Sequence, residues 1–176
     1  AGSVAVARTA DLDVALRGAG ATFKTWKGTS PVERGRILRR AADLLRERID
    51  EIAPVLTEQQ GKTHFEARYE VNASAESFDW FAEEARRAYG RIVPARNLAV
   101  RQMVLKEAVG PVAAFTPWNF PINQVVRKLS AALATGGVQM VLTPTALAGP
   151  VRRLALLGVG LATTPAGVLT LGMAGF

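Results

Sequence analysis

Through the first half of the chain, apolar residues recur every three or four positions; beyond residue 90 they gather into short continuous runs. In "SPVERGRILRRAADLLRERIDEI" the positions Ile37, Leu38, Ala41, Leu44, Leu45, Ile49 and Ile52 form one stripe on a helix whose remaining positions are charged. Ser30-Pro31-Val32-Glu33 marks its start: a capping serine, a proline suited to the first helical position, and a glutamate three residues on. Pro54 predicts a break or kink near its end. A second helix is predicted from Thr63 to Tyr89, carrying Phe65, Val71, Ala75, Phe78, Trp80, Phe81, Ala85 and Tyr89 among charged residues, with Gly90 as its C-cap. "GAGATF", Gly18 to Phe23, lacks the third glycine and the preceding strand of a dinucleotide fingerprint and reads as a helix-to-loop segment.

After Gly90 the pattern changes. "AVRQMVLKEAVG" alternates and predicts one or two strands. "PVAAFTP" is an apolar run of the kind buried in a parallel sheet. "PINQVVRKLSAALATG" is helical, with Val125, Leu129, Ala132 and Leu133 on one side and Gly136 at its end. "VQMVLTP" predicts a second buried strand, "VRRLALLGVGL" a further helix and "AGVLTL" a third strand. This alternation predicts an α/β fold. Residues 1–92 form an N-terminal helical segment and 93–110 a β excursion. Residues 111–176 hold the first strands and helices of a Rossmann-like doubly wound sheet, incomplete at three strands.

Composition narrows the function classes. The chain has 176 residues, 49% of them hydrophobic, enough for one globular domain with a real core. No apolar run reaches the roughly 18 residues of a membrane span, and the N-terminus lacks a basic-then-apolar signal pattern. The expectation is a cytoplasmic protein with no membrane partner. The formal charge of +7 raises the question of nucleic acid. However, Arg34, Arg36, Arg39, Arg40, Arg46 and Arg48 are interleaved with Glu33, Asp43, Glu47, Asp50 and Glu51, the pattern of a solvated face, so no nucleic-acid partner is expected. Cysteine is absent, which removes disulfides, thiolate metal sites and a cysteine nucleophile from this sequence. His64 has no cluster of partners and reads as a polar helix-start residue, so no metal site is expected. Lys62 and Glu58 read as structural loop residues, Met103 and Met140 as core or interface filler.

The candidate chemistry lies at Thr116-Pro117-Trp118-Asn119-Phe120-Pro121, where "PVAAF" gives way to a helix. Ligands of open α/β sheets bind beyond the carboxyl ends of strands, and a helix N-terminus nearby favours negative charge. The Asn119 carboxamide can donate two hydrogen bonds without carrying charge, and aimed at a developing oxyanion such a donor is worth about 2.7–4 kcal/mol. An Asn in a turn can equally spend its side chain on a local backbone bond or a helix cap.

"GPVAAFTPWNFPINQVVRKLSAALATG" resembles the start of the cofactor domain of the aldehyde dehydrogenase superfamily, whose signature is a Pro-Trp-Asn-Phe-Pro corner. "TSPVERGRILRRAADLLRERIDEIAPVLTEQQGKTHFEARYEV" is similar to that family's N-terminal helical pair, with its Glu-Gln-x-Gly-Lys loop at Glu58 to Lys62. "FDWFAEEARRAYGRIVP" is similar to the succinate-semialdehyde or aliphatic-aldehyde branch. The resemblance covers roughly residues 10 to 142, with a weaker continuation through "TPAGVLTL".

In that family a Cys thiolate attacks the aldehyde, an oxyanion hole holds the tetrahedral intermediate, hydride passes to NAD or NADP, and a Glu-activated water hydrolyses the thioester. The resemblance implies that Asn119 is the side-chain oxyanion donor. It implies that Phe115, Thr116, Pro117 and Trp118 line the nicotinamide-ribose side of the cofactor cleft, and that 93–110 supplies oligomerisation-type strands. An aldehyde would be the substrate. A homo-oligomer, or pairing with a full-length relative as a non-catalytic remnant, would be the protein partnership.

Two departures stand out. The family's nucleophilic Cys and general-base Glu have no counterpart in these residues, so no activity is expected from this chain alone. Where the family has a Lys-Pro-Ser/Ala-Glu-like motif contacting the adenosine ribose or its 2′-phosphate, this sequence reads Leu142-Thr143-Pro144-Thr145-Ala146. Thr143 cannot act as a cationic donor and Ala146 cannot accept from a hydroxyl, so weak dinucleotide binding is expected.

Overall fold

The three- and four-residue spacing of apolar positions folds as helices in a computed structural model, which describes residues 9–144 and 154–157, with side chains described for residues 9–137. Helix α1 (Thr9–Trp26) is followed by α2 (Pro31–Glu47), α3 (Ile49–Gln60) and α4 (His64–Glu84), then a 3₁₀ turn at Ala85–Arg87. Strands β1 (Arg91–Val93) and β2 (Gln102–Val104) pair antiparallel as a separate ribbon. Strand β3 (Pro111–Phe115), helix α5 (Asn123–Ala134), and strands β4 (Val138–Pro144) and β5 (Leu154–Leu157) complete the described elements.

Start signals were legible. Ser30 caps α2 by accepting from the Glu33 N–H at 3.2 Å, with Pro31 as the first helical residue. Thr63 and Glu66 form a reciprocal capping box at the head of α4, where His64 is the exposed first residue. Stop signals were less so. The helix predicted from Ser30 breaks at Arg48, whose φ of −103° and ψ of 15° leave helical geometry, while Pro54 sits inside α3. Pro54 is exposed, so the one backbone bond it forfeits is on the solvent side. Gly90 is not a left-handed cap, because α4 has already tightened into its 3₁₀ turn. Gly18 to Phe23 lies within α1, not at a loop: burial of Ala19 and Trp26 in the core outweighs the helix penalty of about 1 kcal/mol for each of two glycines.

The core draws on all five helices, with Ala19 and Trp26 as the share of α1. Leu38, Ala41 and Leu45 of α2 meet an α4 stripe of small residues, Ala67, Val71, Ala75 and Ala82, closed by Phe78. Small side chains bring the two helices close: a Cβ on Gly35 would stand 2.7 Å from the Ala82 carbonyl oxygen. Other aromatic residues of this region, Phe65, Tyr69, Trp80 and Tyr89, are exposed. On the solvated side, Arg36 pairs with Glu33, Arg39 with Glu83, Arg40 with Glu47, and Arg46 with Asp79, so much of the basic charge is locally balanced. Arg34 leaves that face and is buried, unlike its place in the sequence pattern.

The sheet order is β3-β4-β5, with β3 and β4 parallel and α5 in the connection between them. Strand β5 runs antiparallel to β4, pairing Val141 with Leu157 and Pro144 with Leu154, so "VRRLALLGVGL" contributes a strand and the described sheet is mixed. A four-residue apolar run serves a strand or a helix equally, and pairing with β4 decides it here. Within β3 only Ala114 is buried; Phe115 is 61% exposed, so the run is not covered on both faces by the described residues. The expected strand "AGVLTL" lies outside the described residues. Met103 is exposed on the β1–β2 ribbon and is not core filler, while the Met140 side chain is outside the described set. Among the described residues no helix is long and apolar enough to cross a membrane, and no group of three His, Asp or Glu could hold a metal ion.

Candidate functional site

Helix α5 begins without a cap of its own: Ile122 sits at the N-cap in helical conformation with no side-chain bond to the first turn. The missing acceptor comes from α4. Glu70, 2% exposed, accepts with Oε1 from the Ile122 N–H at 3.0 Å and the Asn123 N–H at 3.1 Å. Its Oε2 accepts from the Lys62 ammonium, which completes a buried ion pair. A carboxylate here meets the positive end of the α5 dipole.

The other end of α5 is met by the opposite charge. Arg34 donates from Nε to the Ala134 carbonyl at 3.0 Å, and the Trp26 indole N–H donates to the Leu133 carbonyl at 3.1 Å. Burial draws the Arg34 pKa down from the ordinary arginine value, yet a guanidinium stays charged at neutral pH. Gly136, at φ +87°, and Gly137 finish the helix in a Schellman turn, their N–H groups donating to the Leu133 and Ala132 carbonyls at 3.1 and 2.9 Å. The helix that follows the Pro-Trp-Asn-Phe-Pro corner is therefore fixed at both ends by buried charges of the matching sign.

The corner is also held. Gly61 closes α3 at φ +73° and reverses the chain, so that the residues on either side of it both reach the corner. The Gln60 amide donates to the Trp118 carbonyl, and Lys62 Nζ donates to the Asn119 carbonyl at 3.3 Å. The same ammonium lies 4.6 Å from the centroid of the Phe120 ring, a cation–π contact. Lys128 of α5 donates to the Phe115 carbonyl.

The sequence-derived site residues lie together at the carboxyl end of β3. Asn119 is exposed, and its carboxamide makes no hydrogen bond among the described residues. Trp118 is 44% exposed and Phe115 61%; Pro117 is exposed; the Thr116 side chain is buried. Elsewhere an asparagine does tie itself up: Asn97 Oδ1 accepts from the Ala99 N–H at 2.9 Å. Beside the corner, α4 and α5 enclose an open cleft of about 630 Å³, lined by Trp80, Phe81, Ser77 and Glu76 on one wall and by Gln124, Arg127 and Lys128 on the other. Arg127 has no ion pair or hydrogen bond among the described residues.

The sequence profile of the aldehyde dehydrogenase family matches residues 1–174. This chain belongs to the aldehyde dehydrogenase family. The match runs well past residue 142, so the weaker continuation of the resemblance falls within the family's span as well. The chain is 48% identical over 126 residues to 4-(hydroxymethyl)benzenesulfonate dehydrogenase of Comamonas testosteroni, covering 72% of this chain and 26% of that protein. It is 38% identical over 168 residues to succinate-semialdehyde dehydrogenase (NADP(+)) of Escherichia coli K12, covering 95% of this chain and 34% of that protein. In the crystal structure of aldehyde dehydrogenase from Brucella melitensis biovar abortus 2308, 28% of the chain superposes on 77% of this one, with a TM-score of 0.76 at 39% identity. The chain thus spans about a quarter to a third of the curated relatives it matches, over their N-terminal part.

Aldehyde dehydrogenases use NAD(P). Sequence reading located the corner of this family member but not what holds it. Gln60 and Glu70 carry no signature of their own in the sequence, and Lys62 reads there as a structural loop residue. One signal was available: Glu70 lies three residues after Ala67 and four before Ser74, a charge on the apolar face of α4. A carboxylate there must find donors, and these come from a helix 52 and 53 residues away.

Proposed function

We propose that these residues are the N-terminal part of an NAD(P)-dependent aldehyde dehydrogenase that oxidises an aldehyde to a carboxylic acid, with Asn119 as the side-chain donor to the oxyanion. The reading is supported chiefly by one observation: the Asn119 carboxamide is exposed, and unbonded among the described residues, at a corner whose main chain is held from both sides. Its N–H groups remain available for a carbonyl oxygen gaining charge. The attacking thiolate and the base that activates water would come from outside these 176 residues, which contain no cysteine.

The exposed rings of Phe115 and Trp118, beyond the carboxyl end of a strand in a parallel pair, suit the nicotinamide-ribose half of a dinucleotide, with Pro117 and the Thr116 main chain between them. Bound there, NAD or NADP would accept the hydride. Weak affinity for the adenosine half is expected from the sequence alone, which has Thr143 and Ala146 in place of the family's Lys/Glu pair; Ala146 lies outside the described residues. In this reading residues 1–92 are the helical frame, 93–110 the oligomerisation segment and 111–176 the beginning of the dinucleotide sheet. Ile92, Met103 and Leu105, each 70% or more exposed around the β1–β2 ribbon, support a second chain as its partner, either another copy or a full-length relative.

The substrate class follows from Arg127. A guanidinium with no partner among the described residues, in an aromatic-walled cleft one turn into the helix after Asn119, suits an aldehyde carrying a carboxylate or sulfonate. The names of both relatives, a succinate semialdehyde and a benzenesulfonate dehydrogenase, carry such a group.

The test places residues 9–144 in the E. coli relative, in exchange for its corresponding segment, and follows reduction of NADP. Asn119→Ala in that exchange should lower kcat about 10²–10³-fold, the loss expected for one oxyanion donor. An unchanged kcat would remove the oxyanion role.

A further inference from the structure

We propose that Gln60, Lys62 and Glu70 form a clamp that keeps the Asn119 carboxamide free and fixes its direction, which makes all three positioning residues; this rests on the oxyanion reading of Asn119. Two peptide planes flank the Asn119 Cα. The plane before it carries the Trp118 carbonyl, held by Gln60, and the plane after it carries the Asn119 carbonyl, held by Lys62. Fixing both planes fixes φ and ψ of residue 119, and with them the direction of the Cα–Cβ bond and the accessible rotamers. The cation–π contact of Lys62 with Phe120 anchors the next residue as well.

A fixed main chain does not alone leave the carboxamide free. An asparagine in a turn commonly gives its side-chain oxygen to the N–H two or three residues ahead, as Asn97 does to Ala99 in the β1–β2 turn. For Asn119 both of those donors are removed. Position 121 is proline and has no N–H. The N–H of Ile122 is taken by Glu70 Oε1 at 3.0 Å. Glu70 thus does for α5 what Asn119 would otherwise do, and the carboxamide has no local partner left. Lys62 links the two effects, since one ammonium holds both the Glu70 carboxylate and the Asn119 carbonyl. Glu70 is buried on the apolar stripe of α4, so its carboxylate has no solvent to turn toward.

The experiment uses the isolated chain and reads the scalar coupling across a hydrogen bond from the Ile122 amide nitrogen to the Asn119 side-chain carbonyl carbon. In the native protein this coupling should be absent. In Lys62→Met/Glu70→Leu, which replaces the pair with apolar side chains of similar length, it should appear as Asn119 captures the released N–H. A coupling in the native protein, or none in the folded double variant, overturns the proposal. A gentler variant guards against a failure to fold. Gln60→Ala removes one bond at a half-buried position, and the backbone order parameter at Asn119 should fall from about 0.85 to below about 0.6; an unchanged value also overturns the clamp. These readouts need no substrate, so loss of the clamp and loss of the oxyanion role are told apart: the first appears in the coupling, the second in kcat of Asn119→Ala.

Discussion

Replacing Lys62 with methionine would leave the Glu70 carboxylate, with a side chain 1% exposed, without its cation. Removing one partner of a buried ion pair typically costs about 3–5 kcal/mol, because the remaining charge stays desolvated. Two features of this site moderate the figure. The carboxylate keeps two backbone donors, from Ile122 and Asn123, and it keeps the positive end of the α5 dipole, worth up to about 2 kcal/mol in a partly buried geometry. The expected loss for Lys62→Met is therefore near the lower end, about 3 kcal/mol, or roughly 6–12 °C in Tm for a chain of this size. Glu70→Leu alone strands an ammonium that is only 12% exposed, together with two N–H groups, and should cost a similar amount. With both changes made no charge is left unpaired, so the double variant should fall short of the sum of the singles by at least about 1.5 kcal/mol. Urea denaturation followed by far-UV circular dichroism measures all four corners of this cycle. Single losses below about 1 kcal/mol that simply add, within about 0.5 kcal/mol, would show that the pair does not hold the corner.

Two further outcomes follow from the packing and the caps. Gly35→Ala should destabilise by about 1–3 kcal/mol, as overpacking does, because its methyl group would meet the Ala82 backbone oxygen at 2.7 Å and neither helix can yield without moving the other; an unchanged urea midpoint would contradict the close α2–α4 approach. Glu66 has its pKa lowered from 4.5 by the Thr63 backbone N–H, then by the Thr63 hydroxyl. With the folded value depressed, its contribution is present above 4.5 and is lost as pH falls through the lower folded value. Glu66→Gln can keep the box but not its charge, so the stability gap between wild type and variant should be widest near neutrality and close in acid; a gap independent of pH would refute the box as a titrating cap.

What could be read in the sequence was what lies close along it. Periodicity marked α2, α4 and α5; Ser30, three residues ahead of a glutamate, marked one entrance; Gly136 marked an exit, whereas the Thr63–Glu66 box is a finding of the structure. The break at Arg48 was missed because nothing in that residue type signals it, whereas Pro54, which does carry a signal, sits where a lost bond is cheap. Strand β5 was mistaken for a helix because "LALL" has no period long enough to decide, and pairing with β4 is a fact about another segment. The corner was visible in its own residues, but its supports were not. Gln60, Lys62 and Glu70 reach it from 52 to 58 residues away, and nothing local in a glutamine, a lysine or a glutamate says which carbonyl or N–H it will find.

The two ends of α5 are tied to residues made long before it. Arg34 precedes Ala134 by 100 residues and Trp26 precedes Leu133 by 107. A chain emerging from the ribosome can pack α2 against α4 while α5 is still unmade, whereas the corner has no native geometry until the earlier helices offer their buried charges to it. Order therefore spreads from the helical half into the sheet, and the residues read as chemical are among the last to settle. A folding defect anywhere in the first seventy residues would thus surface as a chemical defect fifty residues downstream.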